Sequence, residues 1–107
     1  MTLSEEKCEP CHVAPEPLPK EEAEKLHRQL GHGWVLKEGA IEREFSFDDF
    51  EEAMDFVNDV AAVAEDEGHH PDIHIYYNKV KLELSTHSVG GLSRNDFVLA
   101  AKIDQLV

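Results

Sequence analysis

The sequence has few basic residues: its 107 positions hold ten lysines and arginines against 23 aspartates and glutamates, a net charge of −13. A surface this acidic repels phosphate groups and anionic lipids, so we expect binding neither to nucleic acid nor to a membrane surface. Long apolar runs are also missing, and a membrane span would need roughly 20 apolar residues. The first residues have neither the basic start nor the apolar stretch of a secretory signal, so we predict a cytoplasmic protein.

Cysteine is scarce as well, and both copies stand close together, at Cys8 and Cys11. With His12 they form a Cys-x-x-Cys-His string, which is the attachment pattern for c-type haem. Haem attachment would need export and a helical haem pocket, and the sequence indicates neither. A zinc site would need a fourth ligand from a histidine that folds back. We interpret this segment as part of a tail with two thiols.

Proline is unevenly distributed, because four of the five prolines fall within residues 1–19. That segment shows no apolar periodicity, so we predict a proline-rich N-terminal arm over residues 1–18 and one domain over residues 19–107. A chain of this length is long enough for one hydrophobic core and too short for two.

Apolar periodicity in the domain predicts three helices and four strands. The first helix begins near Pro19 and ends before Gly31, and two short strands follow around a turn at Glu38-Gly39. A long helix then covers about residues 48–66 and ends at Gly68. Its expected buried stripe consists of Phe50, Met54, Val57, Ala61 and Ala64, widened by Ala53, Phe56 and Val60.

A hairpin and a final helix complete the domain. Residues 72–77 and 80–85 alternate between apolar and polar side chains, and we predict a tight turn at Asn78-Lys79. Ser93 and Asp96 form a capping box for the last helix. Its expected buried positions are Phe97, Leu99, Ala100, Ile103 and Leu106.

The predicted order is therefore α-β-β-α-β-β-α. Hairpins pair their strands antiparallel, so the fold class is α+β, a four-stranded antiparallel sheet with three helices on one face. Such a sheet has two open edges, and we expect the chain to form a homo-oligomer through an edge or a face.

The most informative segment is His69-His70-Pro71, with Glu65 before it and His87 after it. Pro71 disfavours helical geometry at His70, so the two histidines lie in an extended link where adjacent side chains point to opposite sides. Antiparallel pairing around the predicted turn places residue 70 or 71 opposite residue 86 or 87, which brings His87 to the same end of the hairpin. Glu65 lies close enough to hydrogen-bond one imidazole.

These residue types fit two kinds of chemistry. Histidine is the side chain that titrates nearest to neutral pH, which suits proton transfer, and it is also a common metal ligand. Zinc needs about three well-aimed ligands, and His69, His70, His87 and Glu65 could supply them. Adjacent histidines on an extended link diverge, which disfavours the metal site. From the residues alone, a functional site and a polar structural cluster both remain open.

The pattern resembles the family of pterin-4a-carbinolamine dehydratases over about residues 18–106. The matching motifs are Glu65, His69-His70-Pro71, Tyr77-Asn78, Thr86-His87 and Gly91-Leu92-Ser93 with Asp96, together with Gly33-Trp34 and Phe45-x-Phe47. The proline-rich arm with its two cysteines falls outside this pattern.

The resemblance implies an enzyme that dehydrates 4a-hydroxytetrahydropterin to quinonoid dihydropterin without a metal. The pterin is its substrate, and we expect no cofactor. It implies His69, His70 and His87 as the acid–base set, with Glu65 orienting one of them. It further implies pterin contacts from Gly68, His69, His70, Ser85, Thr86, His87 and Ser88, and a homodimer or homotetramer. We interpret Asp96 as a helix cap, because its capping position explains it without catalysis.

Three other functions are compatible with the sequence. Members of the family resemble a dimerisation cofactor of a transcription factor, so a protein-binding or assembly module is one of them. A dehydratase-like protein of molybdopterin metabolism is another, and a metal-binding protein is the third.

Overall fold

The structure is a computed structural model that describes residues 3–5, 17–30, 33–86 and 89–107. It contains a short 3-10 helix (Leu3–Glu5), three α-helices and four strands. The helices are α1 (Lys20–Gln29), α2 (Phe50–Glu67) and α3 (Arg94–Asp104), and the strands are β1 (Val35–Lys37), β2 (Ala40–Ser46), β3 (Asp72–Tyr76) and β4 (Lys79–Leu84). The predicted order α-β-β-α-β-β-α and the α+β class are confirmed.

The four strands form one antiparallel sheet in the order β1-β2-β4-β3. The central strands β2 and β4 bury the side chains that point to one face, because alternate residues of a strand share a face. The buried residues on that face are Ile41, Phe45, Val80, Leu82 and Leu84. The three helices cover this face, while the opposite face carries charged side chains such as Glu42 and Lys81.

The β3–β4 hairpin differs from the prediction in its turn. Tyr77 and Asn78 form the turn, and Ile75 pairs with Val80, so each residue pairs with a partner two positions away from the predicted one. Phe47 fixes this turn, since its N–H donates to the Asn78 carbonyl at 2.8 Å and its carbonyl accepts from Asn78 Nδ2 at 3.0 Å. A shift of two positions leaves every side chain on its predicted face.

Helix α2 buries a stripe that is rotated relative to the prediction. Its buried residues are Ala53, Phe56, Val60 and Ala64, whereas Phe50 is 49% exposed and Ala61 is also exposed. The apolar residues of α2 span a wider arc than the sheet can cover, so the residues at one side of that arc face outward. Leu106, predicted to be buried, is exposed because α3 ends two residues earlier.

Part of the predicted N-terminal arm is packed against the domain. Leu3 is buried in the core, and the carbonyl of Ser4 accepts a hydrogen bond of 2.8 Å from Lys102 Nζ. Farther along, the N–H of Leu18 donates to the carbonyl of Leu92 at 2.8 Å. Cys8, Cys11 and His12 lie outside the described residues. Within the described ranges, no helix is both long and apolar enough to cross a membrane.

Candidate active site

Helix α2 ends abruptly at Gly68, and this ending determines the position of His69. Gly68 adopts a left-handed conformation (φ 69°), which glycine accepts without a steric cost, and the helix ends there. The N–H of His69 still donates to the Ala64 carbonyl at 3.2 Å, which holds the link against the helix end. As a result the His69 side chain turns inward and is 8% exposed.

Asp96 is the carboxylate that meets His69. It lies in the first turn of α3, is fully buried, and its Oδ1 is 2.6 Å from His69 Nε2. Its other oxygen, Oδ2, accepts from Thr86 Oγ1 at 2.9 Å and from the N–H of Ser93 at 2.9 Å. A buried carboxylate is costly unless its oxygens are paired, and here both oxygens have donors. The positive end of the α3 dipole stabilises the same charge.

The geometry also determines which His69 nitrogen can meet a ligand. An ionised carboxylate only accepts hydrogen bonds, so Nε2 must carry the hydrogen that it donates to Asp96. Nδ1 is then the nitrogen that can exchange a proton with a substrate. A histidine held by a carboxylate in this way has a fixed tautomer and a fixed ring orientation.

His70 has a different environment. Its Nε2 is 3.2 Å from Glu65 Oε2, and the two side chains are 60% and 79% exposed. Water screens a pair this exposed, so the contact is weak. Glu65 therefore pairs with His70, while the buried His69 takes its carboxylate from another element.

Of the remaining predicted contacts, the structure describes Thr86, Ser85 and Gly68. Thr86 is buried, with its hydroxyl engaged by Asp96 and Ser93, and Ser85 is half-buried just after β4. Gly68 is exposed beside the histidine link. His87 and Ser88 lie outside the described residues.

The contact between Asp96 and His69 is the feature that sequence reasoning missed. The capping box itself was predicted and is present, with the Ser93 side chain accepting from the Asp96 backbone and the Asp96 side chain accepting from Ser93. The cap uses only one carboxylate oxygen of Asp96, and it supplies no partner for the other oxygen. The partner of that oxygen lies 27 positions away in the sequence, so no local spacing indicates the contact.

A cavity in the described part of the chain lies away from this site. That cavity, of about 720 Å³, lies between Leu18 at the start of α1, Leu36 on β1 and Gly91, and no histidine lines it. No group of three potential metal ligands occurs among the described residues, a set that excludes His87. The arrangement suits proton exchange. The imidazole of His69 is buried and held by Asp96, and the imidazole of His70 is at the surface.

Comparison with known proteins agrees with this fold and these motifs. The sequence model of the family Pterin 4 alpha carbinolamine dehydratase matches residues 16–106. A protein of Nitrosomonas eutropha, named as a candidate pterin-4-alpha-carbinolamine dehydratase, is 50% identical over 98% of this chain and 93% of its own length. A protein of Rubrobacter xylanophilus with the same name is 46% identical over 97% of each chain.

Two solved structures are similar as well. The transcriptional coactivator/pterin dehydratase of Brucella melitensis superimposes with a TM-score of 0.78 at 35% identity, over 85% of this chain and 98% of its own. A pterin dehydratase-like protein described as a RuBisCO assembly factor in the alpha-carboxysome has a TM-score of 0.60 over 70% of this chain and 89% of its own. At 23% identity, the second likeness concerns the fold alone.

Proposed function

Because this chain belongs to the pterin-4-alpha-carbinolamine dehydratase family, we propose that it dehydrates 4a-hydroxytetrahydropterin to quinonoid dihydropterin. The reaction breaks the C4a–O bond, releases the hydroxyl as water after it gains a proton, and removes the N5 proton to form the C4a=N5 double bond. The product is the form from which the pterin cofactor of aromatic amino-acid hydroxylases is recycled. The enzyme is a hydro-lyase that needs an acid and a base, each contributing on the order of 10²–10⁴ in rate.

The observation that carries this proposal is the buried hydrogen bond of 2.6 Å between His69 and Asp96. Asp96 stabilises the imidazolium that forms when Nδ1 of His69 takes a proton, so His69 is suited to act as the base at N5. His70, exposed at the other side of the link, and His87 are the candidates for protonating the leaving hydroxyl. Glu65, which pairs with His70, supports the acid.

We expect the pterin contacts to come from the histidine link and from the segment that follows β4. Gly68, Ser85, Ser88 and the backbone at Thr86 are the groups that we expect to bind the aminopyrimidinone edge, beside the histidines. Nothing in this chemistry needs a metal ion or a cofactor, since all proton movements are assigned to side chains. The acidic chain is proposed to act in the cytoplasm, with no nucleic-acid or membrane partner.

The test is the turnover of freshly generated 4a-hydroxytetrahydropterin, followed by the loss of its absorbance, with and without a chelator. The protein should accelerate the loss at least tenfold above the spontaneous rate, and the chelator should leave that rate unchanged. His69→Ala and His70→Ala should each slow the reaction, while His74→Ala, on the exposed edge strand β3, should not. A wild-type protein that leaves the spontaneous rate unchanged contradicts the proposal.

We further propose that the chain works as a homodimer or homotetramer. Strands β1 and β3 form the two edges of the sheet, and unpaired edges favour pairing with another chain. Exposed apolar side chains also favour an interface, and the exposed fractions of Phe50, Ile75 and Tyr77 are 49%, 40% and 68%.

The exposed aromatic side chains also favour a second candidate function, binding to another protein. The Brucella relative is named a transcriptional coactivator as well as a pterin dehydratase, and such a role would use a surface away from the histidines. The separating experiment compares His69→Ala with Phe50→Glu. The first variant should lose turnover and keep its partner, and the second should lose the partner and keep turnover.

A further inference from the structure

Thr86 connects the buried carboxylate to the end of the hairpin. It is 2% exposed, and its Oγ1 lies 2.9 Å from Asp96 Oδ2 and 2.7 Å from Ser93 Oγ. Its backbone N–H donates to the Gly91 carbonyl at 2.7 Å, and its carbonyl accepts from the Gly91 N–H at 3.3 Å. The main chain of Thr86 is thus held by a β-bridge, while its side chain points at the carboxylate that holds His69.

The direction of each hydrogen bond in this cluster can be derived. The ionised Asp96 carboxylate can only accept hydrogen bonds, so the Thr86 hydroxyl donates its single hydrogen to Oδ2. Ser93 must then donate its own hydrogen to Thr86 Oγ1, and Ser93 Oγ accepts from the backbone N–H of Asp96. The three residues form a closed ring of hydrogen bonds, with the direction of every bond determined.

This ring sets the orientation of the carboxylate. An aspartate side chain rotates easily about its last torsion, since that torsion has broad energy wells. With Thr86 and the Ser93 N–H both bound to Oδ2, rotation would break two hydrogen bonds to a charged group, which are stronger than hydrogen bonds between neutral groups. Oδ1 therefore stays directed at Nε2 of His69.

We propose that Thr86 is a positioning residue whose hydroxyl fixes the Asp96 carboxylate and, through it, the tautomer and orientation of His69. The inference rests on the proposed dehydratase function, and it assigns to Thr86 a role through its side chain that is separate from any contact of its backbone with the pterin. Thr86 does not touch the reacting atoms through its hydroxyl, because that group is buried and engaged by Asp96 and Ser93.

The first test is the near-isosteric change Thr86→Val, which removes the hydroxyl and keeps the shape. We expect kcat to fall by about tenfold to a hundredfold, the value of one hydrogen bond to a charged group. KM should change less than threefold, because the lost group does not face the substrate. Thr86→Ser keeps the hydroxyl and should restore kcat to within about threefold of the wild type.

A double-mutant cycle tests whether Thr86 acts through Asp96. Asp96→Asn should slow the reaction by itself, and adding Thr86→Val to it should cause no further loss, since coupled residues are not additive. Ile103→Val, in the core on the far end of α3, is the control for a general loss of stability and should keep the wild-type kcat. Multiplicative effects in the cycle, or a fully active Thr86→Val, would overturn the proposal.

A spectroscopic readout separates this proposal from the function itself. The Nε2-bound proton of His69 should give a far-downfield NMR signal that is lost in Asp96→Asn, shifted in Thr86→Val, and unchanged in Ile103→Val. This measurement needs no substrate, so a protein without turnover that shows the shift would refute the dehydratase function and keep the positioning role. A protein with normal turnover whose His69 signal is unshifted in Thr86→Val would support the dehydratase function and refute the positioning role.

Discussion

His69 and His70, the two adjacent histidines of the candidate active site, have carboxylate partners that differ in burial. Asp96 is fully buried and bound by three donors, whereas Glu65 is 79% exposed. Electrostatic pairing is far stronger away from water, so the two carboxylates should contribute differently to catalysis.

We expect Glu65→Gln to lower kcat/KM by tenfold or less, and Asp96→Asn to lower it by more than a hundredfold. The reason is that the change at Glu65 removes only a solvent-screened contact, while the change at Asp96 removes the charge that stabilises the His69 imidazolium. Steady-state turnover of 4a-hydroxytetrahydropterin gives both values. Glu51→Gln, exposed in the first turn of α2, serves as the control for a change of charge. Equal losses of kcat/KM in Glu65→Gln and Asp96→Asn would contradict the expectation that the buried carboxylate contributes more to catalysis.

Glu42 is a charged residue outside the site whose pKa is shifted in the folded protein. It lies on the open face of the sheet with Lys37 Nζ at 2.7 Å and Lys81 Nζ at 3.3 Å. The hydrogen bond from Lys37 is the largest cause of the lowered pKa of Glu42, which falls below its ordinary value of 4.5. The ion pair with Lys81 and the charges of both lysines act in the same direction, and partial desolvation opposes them. The folded state thus favours the ionised form.

The lowered pKa of Glu42 predicts a dependence of stability on pH. A carboxyl group with a depressed pKa in the folded state stabilises the protein fully above its ordinary value of 4.5, and this contribution is lost as pH falls through the folded value. Glu42→Gln should therefore be less stable than the wild type at pH 7, with the difference disappearing at acid pH. Urea denaturation between pH 3 and pH 7 measures both curves, and a constant difference would contradict the assignment.

At the scale of single residues, the sequence predicts local pairs better than distant ones. The spacing of Glu65 and the histidine link predicts a carboxylate–imidazole contact, since both lie within about one helical turn. The contact of Asp96 with His69 joins residues 27 positions apart. It depends on how α3 packs across the end of the sheet, and no local pattern encodes that packing.

The 3-10 helix at Leu3–Glu5 is an element without a sequence signal, and it packs against α3. Leu3 is 4% exposed, and Ser4 accepts from Lys102 through its carbonyl and from Gln105 Nε2 through its hydroxyl. A segment with no apolar periodicity still contributes one buried leucine to the core, which periodicity cannot detect.

We expect Leu3→Ala to lower the free energy of unfolding by about 2 kcal/mol, the lower end of the range for buried leucines, because a short terminal segment can collapse onto the cavity. Chemical denaturation measures this loss. Val107→Ala, at the 62% exposed C-terminal residue, is the matched control and should have no effect. If the two variants have equal stability, the 3-10 helix does not contribute to the fold in solution.

At the scale of elements, the sequence predicts the identity and order of helices and strands, because each has its own period and its own turn residues. The details that the sequence does not predict depend on contacts with other parts of the fold. The hairpin turn lies one residue earlier than predicted because Asn78 is bound by Phe47, which belongs to another part of the chain. The buried stripe of α2 is rotated because the sheet covers only part of its apolar arc.

The whole molecule combines a high negative charge with an exposed apolar surface. Phe50 and Tyr77 stack with their rings 6.4 Å apart and 10° from parallel, and Ile75 lies two residues before Tyr77. We call the stacked pair of Phe50 and Tyr77 the aromatic patch. Exposed apolar patches of this kind commonly mark interfaces, whereas the charge of −13 opposes association of identical chains. The two effects should make an oligomer sensitive to salt, because salt screens the repulsion and leaves apolar contact intact.

Phe50→Glu tests whether the aromatic patch is the oligomer interface. Residue 50 is the first residue of α2, where an added negative charge favours the helix, so the variant should fold as well as the wild type. If the patch is the interface, light scattering should give the mass of an oligomer for the wild type and a smaller species for Phe50→Glu, most clearly at low salt. Val35→Glu, on the exposed edge strand β1, distinguishes the alternative assembly through the sheet edge. A smaller mass in Val35→Glu alone would assign the interface to that edge, and a wild-type monomer at all salt concentrations would refute both.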